Sequence, residues 1–346
     1  MVKISKETTR RQHYVWQYYL RKWSLKNKVF VKKENNIFES STKNIMVERD
    51  FYKVHRLNDI EKQIRDKIGE DSRPNVNEHI IKEFKLLDLL NHTDEESFDA
   101  EEIVRTLISD FGMSAKYKNE NIDFDKIFKS ISVEGKNFIN NQLKEEYKNK
   151  RIQHGEDMIS LDEDNGKKFL DMIYIDDLSF LTKGEQERFD FYYFMMFIYM
   201  RTNKIKNIFV PQLEKIVDLI KKDYPNIECD AIKIYSHFLH ALIIKSAFGI
   251  YYDKEYKVMI MNTKGKRFIT GDQPAFNLND SLDQYGYNDK MRIYMPITPY
   301  KAIILDNKID SNKIVDVDDK TVNYLNNFIN KNSYKFIVGM KEEDLI

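Results

Sequence analysis

The chain has 346 residues, of which 42% are hydrophobic and 13% aromatic, so it can bury a sizeable core and is not a disordered protein. Lys plus Arg and Asp plus Glu both number 56, and this zero formal net charge argues against a globally basic nucleic-acid-binding protein while leaving room for a local basic face. Cys229 is the single cysteine, which excludes an intrachain disulfide and a multi-cysteine metal site.

Targeting segments and common cofactor motifs are also missing from the sequence. The N-terminus has no apolar signal core, and the most apolar stretch, Phe189 to Met200, is too short for a membrane span and contains Asp190. We therefore expect a cytoplasmic protein with no membrane association. The patterns GxxxxGK[ST], GxGxxG, GxSxG and CxxC do not occur, which argues against an NTPase, a dinucleotide enzyme or an α/β-hydrolase.

The first predicted element is a helix over about 10–24, rich in aromatic residues. His13, Gln17 and Arg21 are spaced by four residues, so on a helix they share one face. Aromatic residues on the other faces predict a helix that is buried on several sides. A hairpin with strands at 28–32 and 37–41 follows, and a polar connector then runs to residue 52.

Helical periodicity dominates the middle of the chain, as far as Gly249. The predicted helices span about 57–69, 77–91, 99–112, 167–181, 184–205, 211–223 and 229–248, with further solvated helices within 113–150. Pro74 interrupts the periodicity once. Residues 151–166, RIQHGEDMISLDEDNG, predict a mobile loop or a subdomain boundary.

The hydrophobic period changes from 3.6 to 2 after residue 255, which indicates strands. Strands are predicted at 257–262, 267–270, 291–296, 301–305 and 334–339, and a helix is predicted at about 318–331. The first two strands form a predicted hairpin, and a tight turn, Gly271-Asp272-Gln273-Pro274, follows the second.

These elements predict an α+β fold, with a mainly helical middle and a small mixed or antiparallel sheet built from N-terminal and C-terminal strands. A shared sheet is the simplest way to cover strand edges from both ends of the chain. It also brings the N-terminal helix close to the Asp272 turn. We expect a single domain over 1–346, with a helical subdomain at about 57–250 and a β-rich part at 25–52 plus 255–340 as the natural subdivision.

Several short runs, spread over most of the chain, resemble one protein family. They are HY..QYYLR.W at 13–23, ERDFY at 48–52, RT at 201–202, FITGDQP at 268–274 and MPITP at 295–299. The chain thus resembles the domain of unknown function 4238 family of bacterial proteins. Trp23 stands where phenylalanine is more usual, and Gly271 where serine is. The family has no settled activity, so the resemblance implies only that the matched polar residues form one site.

The predicted catalytic residues are His13, Gln17, Arg21 and Asp272. Histidine can transfer protons near neutral pH, arginine can hold a phosphate, and glutamine can orient a substrate or a water molecule. The alternative is structural: His13 bonded to a backbone carbonyl, Arg21 paired with an acid, and Asp272 bonded to its own turn.

Substrate binding is assigned to Lys32, Lys43, Arg201 and Gln273. Glu48 and Asp50, spaced two residues apart, are candidate ligands with Asp272 for a divalent cation, Mg²⁺ or Mn²⁺. The alternative for both acids is a salt-bridged loop.

Three further groups favour a structural interpretation. His237 and His240 are three residues apart on an apolar predicted helix without an obvious third ligand, so core packing is favoured over a metal site. Acidic neighbours raise the pKa of Cys229, which is the wrong direction for a nucleophile. The acidic run from Asp157 to Asp164 lacks the ligand spacing of a calcium loop.

Two functions from different classes follow from these residues. The first is a bacterial nuclease or phosphodiesterase used in phage defence, with nucleic acid or a nucleotide as partner and a site made of His, Arg and Asp. The second is a non-catalytic regulatory module that binds a ligand or nucleic acid with the same residues. A third interpretation gives the polar cluster a purely structural role.

Overall fold

The computed structural model describes residues 11–91, 129–279 and 291–346. Two compact units divide the chain. The first unit takes its described residues from Tyr52–Met158 and Leu213–Ala241, and the second consists of the described residues of Arg11–Phe51, Ile159–Gln212 and Leu242–Ile346. The predicted helix at 99–112 lies outside the described residues.

The predicted α+β fold is confirmed. The strands are β1 Arg11–His13, β2 Lys28–Lys33, β3 Asn36–Ser41, β4 Val47–Arg49, β5 Lys257–Asn262, β6 Thr270–Gly271, β7 Phe276–Asn277, β8 Ile293–Thr298, β9 Lys301–Asp306, β10 Lys313–Asp316 and β11 Ile337–Gly339. The α-helices are α1 Gln17–Leu20, α2 Asp59–Gly69, α3 Pro74–Asn91, α4 Val133–Tyr174, α5 Glu185–Met200, α6 Asn203–Asp223, α7 Ala231–Tyr252 and α8 Asp319–Asn332. Short 3₁₀ turns occupy Arg21–Trp23, Ser179–Leu181 and Glu342–Leu345. None of the described helices is long and apolar enough to cross a membrane.

The first unit contains α2 and α3, and the start of α2 is fixed by its sequence. The Asn58 side chain accepts hydrogen bonds from the backbone amides of Ile60 and Glu61, at 3.1 and 2.9 Å. The Glu61 carboxylate in turn accepts from the Asn58 amide at 2.9 Å, which completes a capping box. Pro74 begins α3, a position where proline is tolerated because its missing N–H needs no helical partner.

Strands from both ends of the chain form one antiparallel sheet in the second unit, as predicted. Its order is β3-β2-β11-β6, and Val338 of β11 lies opposite Val31 on one side and Thr270 on the other. The N-terminal segment reaches the same region, because the Tyr19 hydroxyl donates to Pro296 O at 2.7 Å and contacts Thr270 Oγ1 at 2.6 Å. The predicted proximity of this segment to the Asp272 turn is therefore confirmed.

A second sheet holds most of the C-terminal strands in the order β10-β5-β9-β8-β7. The predicted strands at 291–296 and 301–305 are confirmed as β8 and β9, both buried along their whole length. The predicted hairpin between 257–262 and 267–270 is wrong. β5 pairs instead with β9 and β10, because a fully buried strand such as β9 needs a partner on each edge to satisfy its backbone.

The predicted helix over 10–24 is wrong in its first half. Residues Arg11–His13 form β1, which pairs with β4, and α1 begins only at Gln17. Aromatic and β-branched residues suit a strand as well as a buried helix, and pairing with a distant strand decides between the two. Gln17 and Arg21 nevertheless keep their predicted spacing of one helical turn.

The predicted loop at 151–166 is also wrong, because α4 continues through it to Tyr174. Gly166 explains part of the misleading pattern. A Cβ atom at this position would lie 2.1 Å from Cδ2 of Phe194, so the glycine permits close packing of α4 against α5 rather than a break. Glu163, within the same segment, is half-buried and pairs with the buried Arg201.

Candidate functional site

β1 positions His13 beside a polar turn. Gln12 lies opposite Glu48 in β4, and His13 lies opposite Val47. The turn that precedes β4 brings Thr42 against the imidazole, whose Nε2 lies 3.2 Å from the carbonyl oxygen of Thr42. A carbonyl oxygen can only accept, so this contact fixes the tautomer in which Nε2 carries the proton and Nδ1 carries the lone pair.

Gln17 and Arg21 complete a hydrogen-bonded chain that starts at Thr42. Gln17 Nε2 donates to the Thr42 hydroxyl at 3.5 Å, and the Arg21 guanidinium donates to Gln17 Oε1 at 3.0 Å. Thr42 is buried, while Arg21 is exposed. The structure therefore brings together three of the four predicted catalytic residues, His13, Gln17 and Arg21.

Burial lowers the pKa of His13 below its usual value, since a charged imidazole loses hydration there. The bond to the Thr42 carbonyl acts in the opposite direction, and the positive charges of Arg201, Arg11 and Arg21 lower the pKa further. His13 is therefore neutral at pH 7 and able to accept a proton. An anion that neutralises Arg11 and Arg21, which are both exposed, raises this pKa again.

Arg201 lies beneath the site and is 1% exposed. Its guanidinium pairs with the carboxylate of Glu163, donates to the carbonyl oxygen of His13 at 3.4 Å and lies 4.7 Å from the centre of the Phe197 ring. Burial raises the pKa of Glu163, and the positive charge of Arg201 opposes this. Arg201 thus supports the β1 backbone from a buried position, and its role in substrate binding stays a prediction.

Asp272 and Gln273 are both 1% exposed and hold backbone atoms. The Asp272 carboxylate accepts three backbone N–H groups, from Tyr334, Lys335 and Phe336, at 2.6–3.0 Å. Burial raises the pKa of Asp272, although the three donors act in the opposite direction. The Gln273 side chain donates to two carbonyl oxygens at 2.8 and 2.7 Å and accepts from the Thr202 hydroxyl. The hydrogen bonds of Asp272 and Gln273 therefore agree with the structural alternative, in which both side chains stabilise the turn.

The candidate metal ligands do not form a cluster. The exposed Glu48 accepts from Asn203 Nδ2 at 3.1 Å, whereas Asp50 lies 3.7 Å from the Arg49 guanidinium. Within the ranges 11–91, 129–279 and 291–346, no three His, Cys, Asp or Glu side chains are arranged to hold a metal ion. Burial raises the pKa of the Tyr14 hydroxyl, and the negative charges of Asp272 and Glu48 raise it further.

The two predicted binding lysines lie in different places. Lys43 is exposed and directly follows Thr42, so it borders the His13 site. Lys32, in β2, donates to the carbonyl oxygen of Leu345 at 3.0 Å. It belongs to a separate part of the second unit.

Comparison with known protein families establishes which family the chain belongs to. The profile of a family described as "Protein of unknown function (DUF4238)" matches residues 11–343. The chain belongs to this family. The match confirms the resemblance that the runs around His13 and Asp272 carry. Neither the curated proteins nor the solved structures contain a match to this DUF4238 chain.

The first unit of this DUF4238 protein contains His237 and His240, and both imidazoles contact residues of the protein core. The imidazole of His237 is fully buried, with Nε2 2.7 Å from the carbonyl oxygen of His55 and Nδ1 3.4 Å from Arg65. Arg65 in turn pairs with Asp88 at 2.6 Å. His240 lies 3.1 Å from the Glu83 carboxylate. These contacts agree with core packing.

Sequence reasoning missed Thr42 and Arg11 as members of the site. Thr42 lies in a polar connector without periodicity, and only the β1–β4 pairing brings it to His13. Arg11 precedes His13 by two residues, so on a strand it lies on the same face. A strand assignment for 11–13 would have identified it.

Proposed function

We propose that the DUF4238 chain binds the phosphodiester backbone of single-stranded nucleic acid at the face formed by Arg11, His13, Gln17, Arg21 and Lys43, and that it cleaves this backbone without a metal ion. This group is called the His13 face below. The hydrogen-bonded chain from His13 through Thr42 and Gln17 to Arg21 is the observation that carries the proposal. It combines a neutral, oriented histidine with exposed cations.

Binding rests on charge. Arg11, Arg21 and Lys43 are exposed, and a guanidinium matches the geometry of a phosphate with two parallel hydrogen bonds. Gln17 keeps Arg21 in place through the 3.0 Å bond, which reduces the side-chain entropy lost when the phosphate binds. The zero net charge of the chain is compatible with phosphate binding, because binding depends on the local cations Arg11, Arg21 and Lys43.

The reaction rests on His13. When a phosphate neutralises Arg11 and Arg21, the pKa of His13 rises toward the pH of the solution, where proton transfer is most effective. Nδ1 takes a proton from the attacking water as its oxygen bonds to phosphorus. The P–O bond to the leaving nucleotide breaks, and the leaving oxygen takes a proton from the solvent. Arg21 stabilises the negative charge that develops on the phosphate oxygens.

A cleavage assay in EDTA with single-stranded RNA and DNA tests this proposal. His13→Gln removes the base, and we expect its rate to fall by about 100-fold or more, the contribution typical of general base catalysis. Arg21→Ala weakens binding of the same strands. The control is His79→Gln, which changes an exposed histidine of α3 in the other unit and leaves the rate unchanged. Cleavage by His13→Gln at the wild-type rate contradicts the proposal.

The second candidate function is binding of single-stranded nucleic acid without cleavage. It is favoured by the roles of Asp272 and Arg201, because the Asp272 carboxylate holds backbone amides and the Arg201 guanidinium pairs with Glu163, so two charged groups predicted to act on a substrate have structural bonds. Strand binding that depends on Arg21, with no cleavage by the wild-type protein in EDTA or in Mg²⁺, supports this candidate over the first.

A further inference from the structure

A pocket lies in the second unit, between the β2–β3 turn and the segment that joins α8 to β11. Its volume is about 430 Å³, within the range of roughly 300–1,000 Å³ that small ligands occupy. The end of β2 contributes Lys32 and Lys33, the turn after it contributes Glu34, and the segment before β11 contributes Ser333, Tyr334 and Lys335. This group is called the lysine pocket.

The lysine pocket attracts anions. Three ammonium groups line it against one carboxylate, that of Glu34. Lys33 and Lys335 are exposed. Lys32 donates one proton to the Leu345 carbonyl oxygen at 3.0 Å, and an ammonium group carries three. A phosphate group is the anion best suited to several converging ammonium groups, because each of its oxygens accepts more than one hydrogen bond.

An aromatic group extends the lysine pocket beyond a simple anion site. The Ser333 hydroxyl oxygen is buried beside Gly271, so it shapes the pocket wall and is not accessible to a ligand. Tyr334 is 44% exposed, with the Lys335 ammonium 4.9 Å from the centre of its ring. An exposed aromatic ring beside phosphate-binding lysines is a platform on which a nucleobase stacks.

Asp272 gives the pocket wall its fixed shape. Its carboxylate accepts the backbone amides of Tyr334, Lys335 and Phe336, which are consecutive residues of the wall. Its own amide donates to the carbonyl oxygen of Phe336 at 3.0 Å. The backbone that carries Tyr334 and Lys335 is thereby ordered before a ligand binds, so less conformational entropy is lost on binding.

We propose that the lysine pocket binds a nucleoside monophosphate, with the phosphate against Lys33 and Lys335 and the base on the Tyr334 ring. This site is separate from the His13 face and does not depend on cleavage there.

Equilibrium dialysis or calorimetry with the full chain tests the proposal, with AMP, inorganic phosphate and adenosine as three probes. We expect AMP to bind more tightly than either of the other two, because it alone uses both the lysines and the ring. Lys33→Ala with Lys335→Ala weakens AMP binding by about tenfold or more, which corresponds to about 1.4 kcal/mol. Tyr334→Leu weakens AMP binding and leaves phosphate binding unchanged.

A matched control removes the same charge elsewhere. Lys308→Ala with Lys320→Ala changes two exposed lysines outside the pocket, and we expect the affinity for AMP to stay within twofold of wild type. Equal AMP affinity in the two double variants overturns the proposal, as does the absence of AMP binding by the wild-type chain. AMP binding that His13→Gln abolishes and the pocket variant retains assigns the nucleotide to the His13 face and also overturns it.

Discussion

Asp272→Asn tests whether this carboxylate holds the chain together. The residue is 1% exposed, and its two oxygens accept the amides of Tyr334 at 2.8 Å, Lys335 at 2.6 Å and Phe336 at 3.0 Å. The three donors belong to the segment that leads into β11, the strand that joins the N-terminal hairpin to β6. Loss of this anchor therefore affects the sheet in which both ends of the chain meet.

The size of the effect follows from the bonds. Hydrogen bonds to a charged group each contribute roughly 1.5–3 kcal/mol. An asparagine oxygen in the position of Oδ2 keeps the two bonds to Lys335 and Phe336 in weaker, neutral form, while its NH₂ group faces the Tyr334 amide, donor against donor. One charged bond is lost and one buried donor is left unsatisfied, so we expect destabilisation by about 2–4 kcal/mol.

Urea unfolding followed by tryptophan fluorescence measures this directly. Both tryptophans of the chain, Trp16 and Trp23, are buried in the second unit, which also contains Asp272. The control is Asp316→Asn, because Asp316 is exposed and pairs with the exposed Lys264, and we expect it to change stability by less than about 0.5 kcal/mol. An Asp272→Asn protein as stable as this control refutes the structural account of Asp272.

Three further predictions concern stability, and the first two use the same unfolding measurement. Gly271→Ala places a Cβ 2.9 Å from a backbone carbonyl oxygen, and we expect a loss of about 1–3 kcal/mol; wild-type stability contradicts the close approach. Glu163→Gln removes the negative charge that pairs with the buried Arg201 cation, so we expect a loss of about 2–4 kcal/mol, and an unchanged midpoint contradicts this. His237 has its pKa lowered from 6.5 to about 4 by burial, so its stabilising effect is complete above pH 6.5 and falls by about 3 kcal/mol as the pH drops to 4. Hydrogen exchange of the α2 and α3 amides measures the destabilisation caused by protonation of His237. Protection factors that do not change between pH 6.5 and 4 contradict this prediction.

The sequence was most informative where a regular spacing or a strong local signal was present. Gln17 and Arg21 are one helical turn apart, and they form the predicted contact even though the helix around them is short. The strands at the two ends of the chain were expected to share a sheet because unpaired edges are unfavourable, and β2, β11 and β6 do so.

The errors have physical causes of two kinds. β1 is only three residues long and owes its existence to β4, more than thirty residues away, so no local pattern could reveal it. Residues 151–166 were predicted to be a loop, yet α4 continues through them, and the missing side chain of Gly166 serves close packing against Phe194. A glycine in a sequence can indicate an unusual backbone conformation or a site where a neighbouring group packs closely, and only the structure distinguishes these two reasons.

The site was predictable in part for the same reasons. His13, Gln17 and Arg21 are near one another in sequence, so their proximity was expected, whereas the role of Thr42 depends on a long-range pairing. The lysine pocket combines residues about 300 positions apart, 32–34 and 330–337, and no spacing in the sequence connects them. Lys32 was chosen for its charge, and the structure places it in this pocket instead of beside His13.

The pKa of His13, measured by NMR with and without a bound strand, tests the central proposal most directly. The chain has seven histidines, and the His13→Gln protein identifies the resonance of His13 by its absence. In the free protein, the account predicts a pKa below 6.5. A hydrolysis-resistant phosphorothioate oligonucleotide, added in EDTA, is predicted to raise this pKa, and Arg21→Ala is predicted to reduce the increase. A His13 resonance and pKa that do not respond to the oligonucleotide contradict phosphate binding at the His13 face.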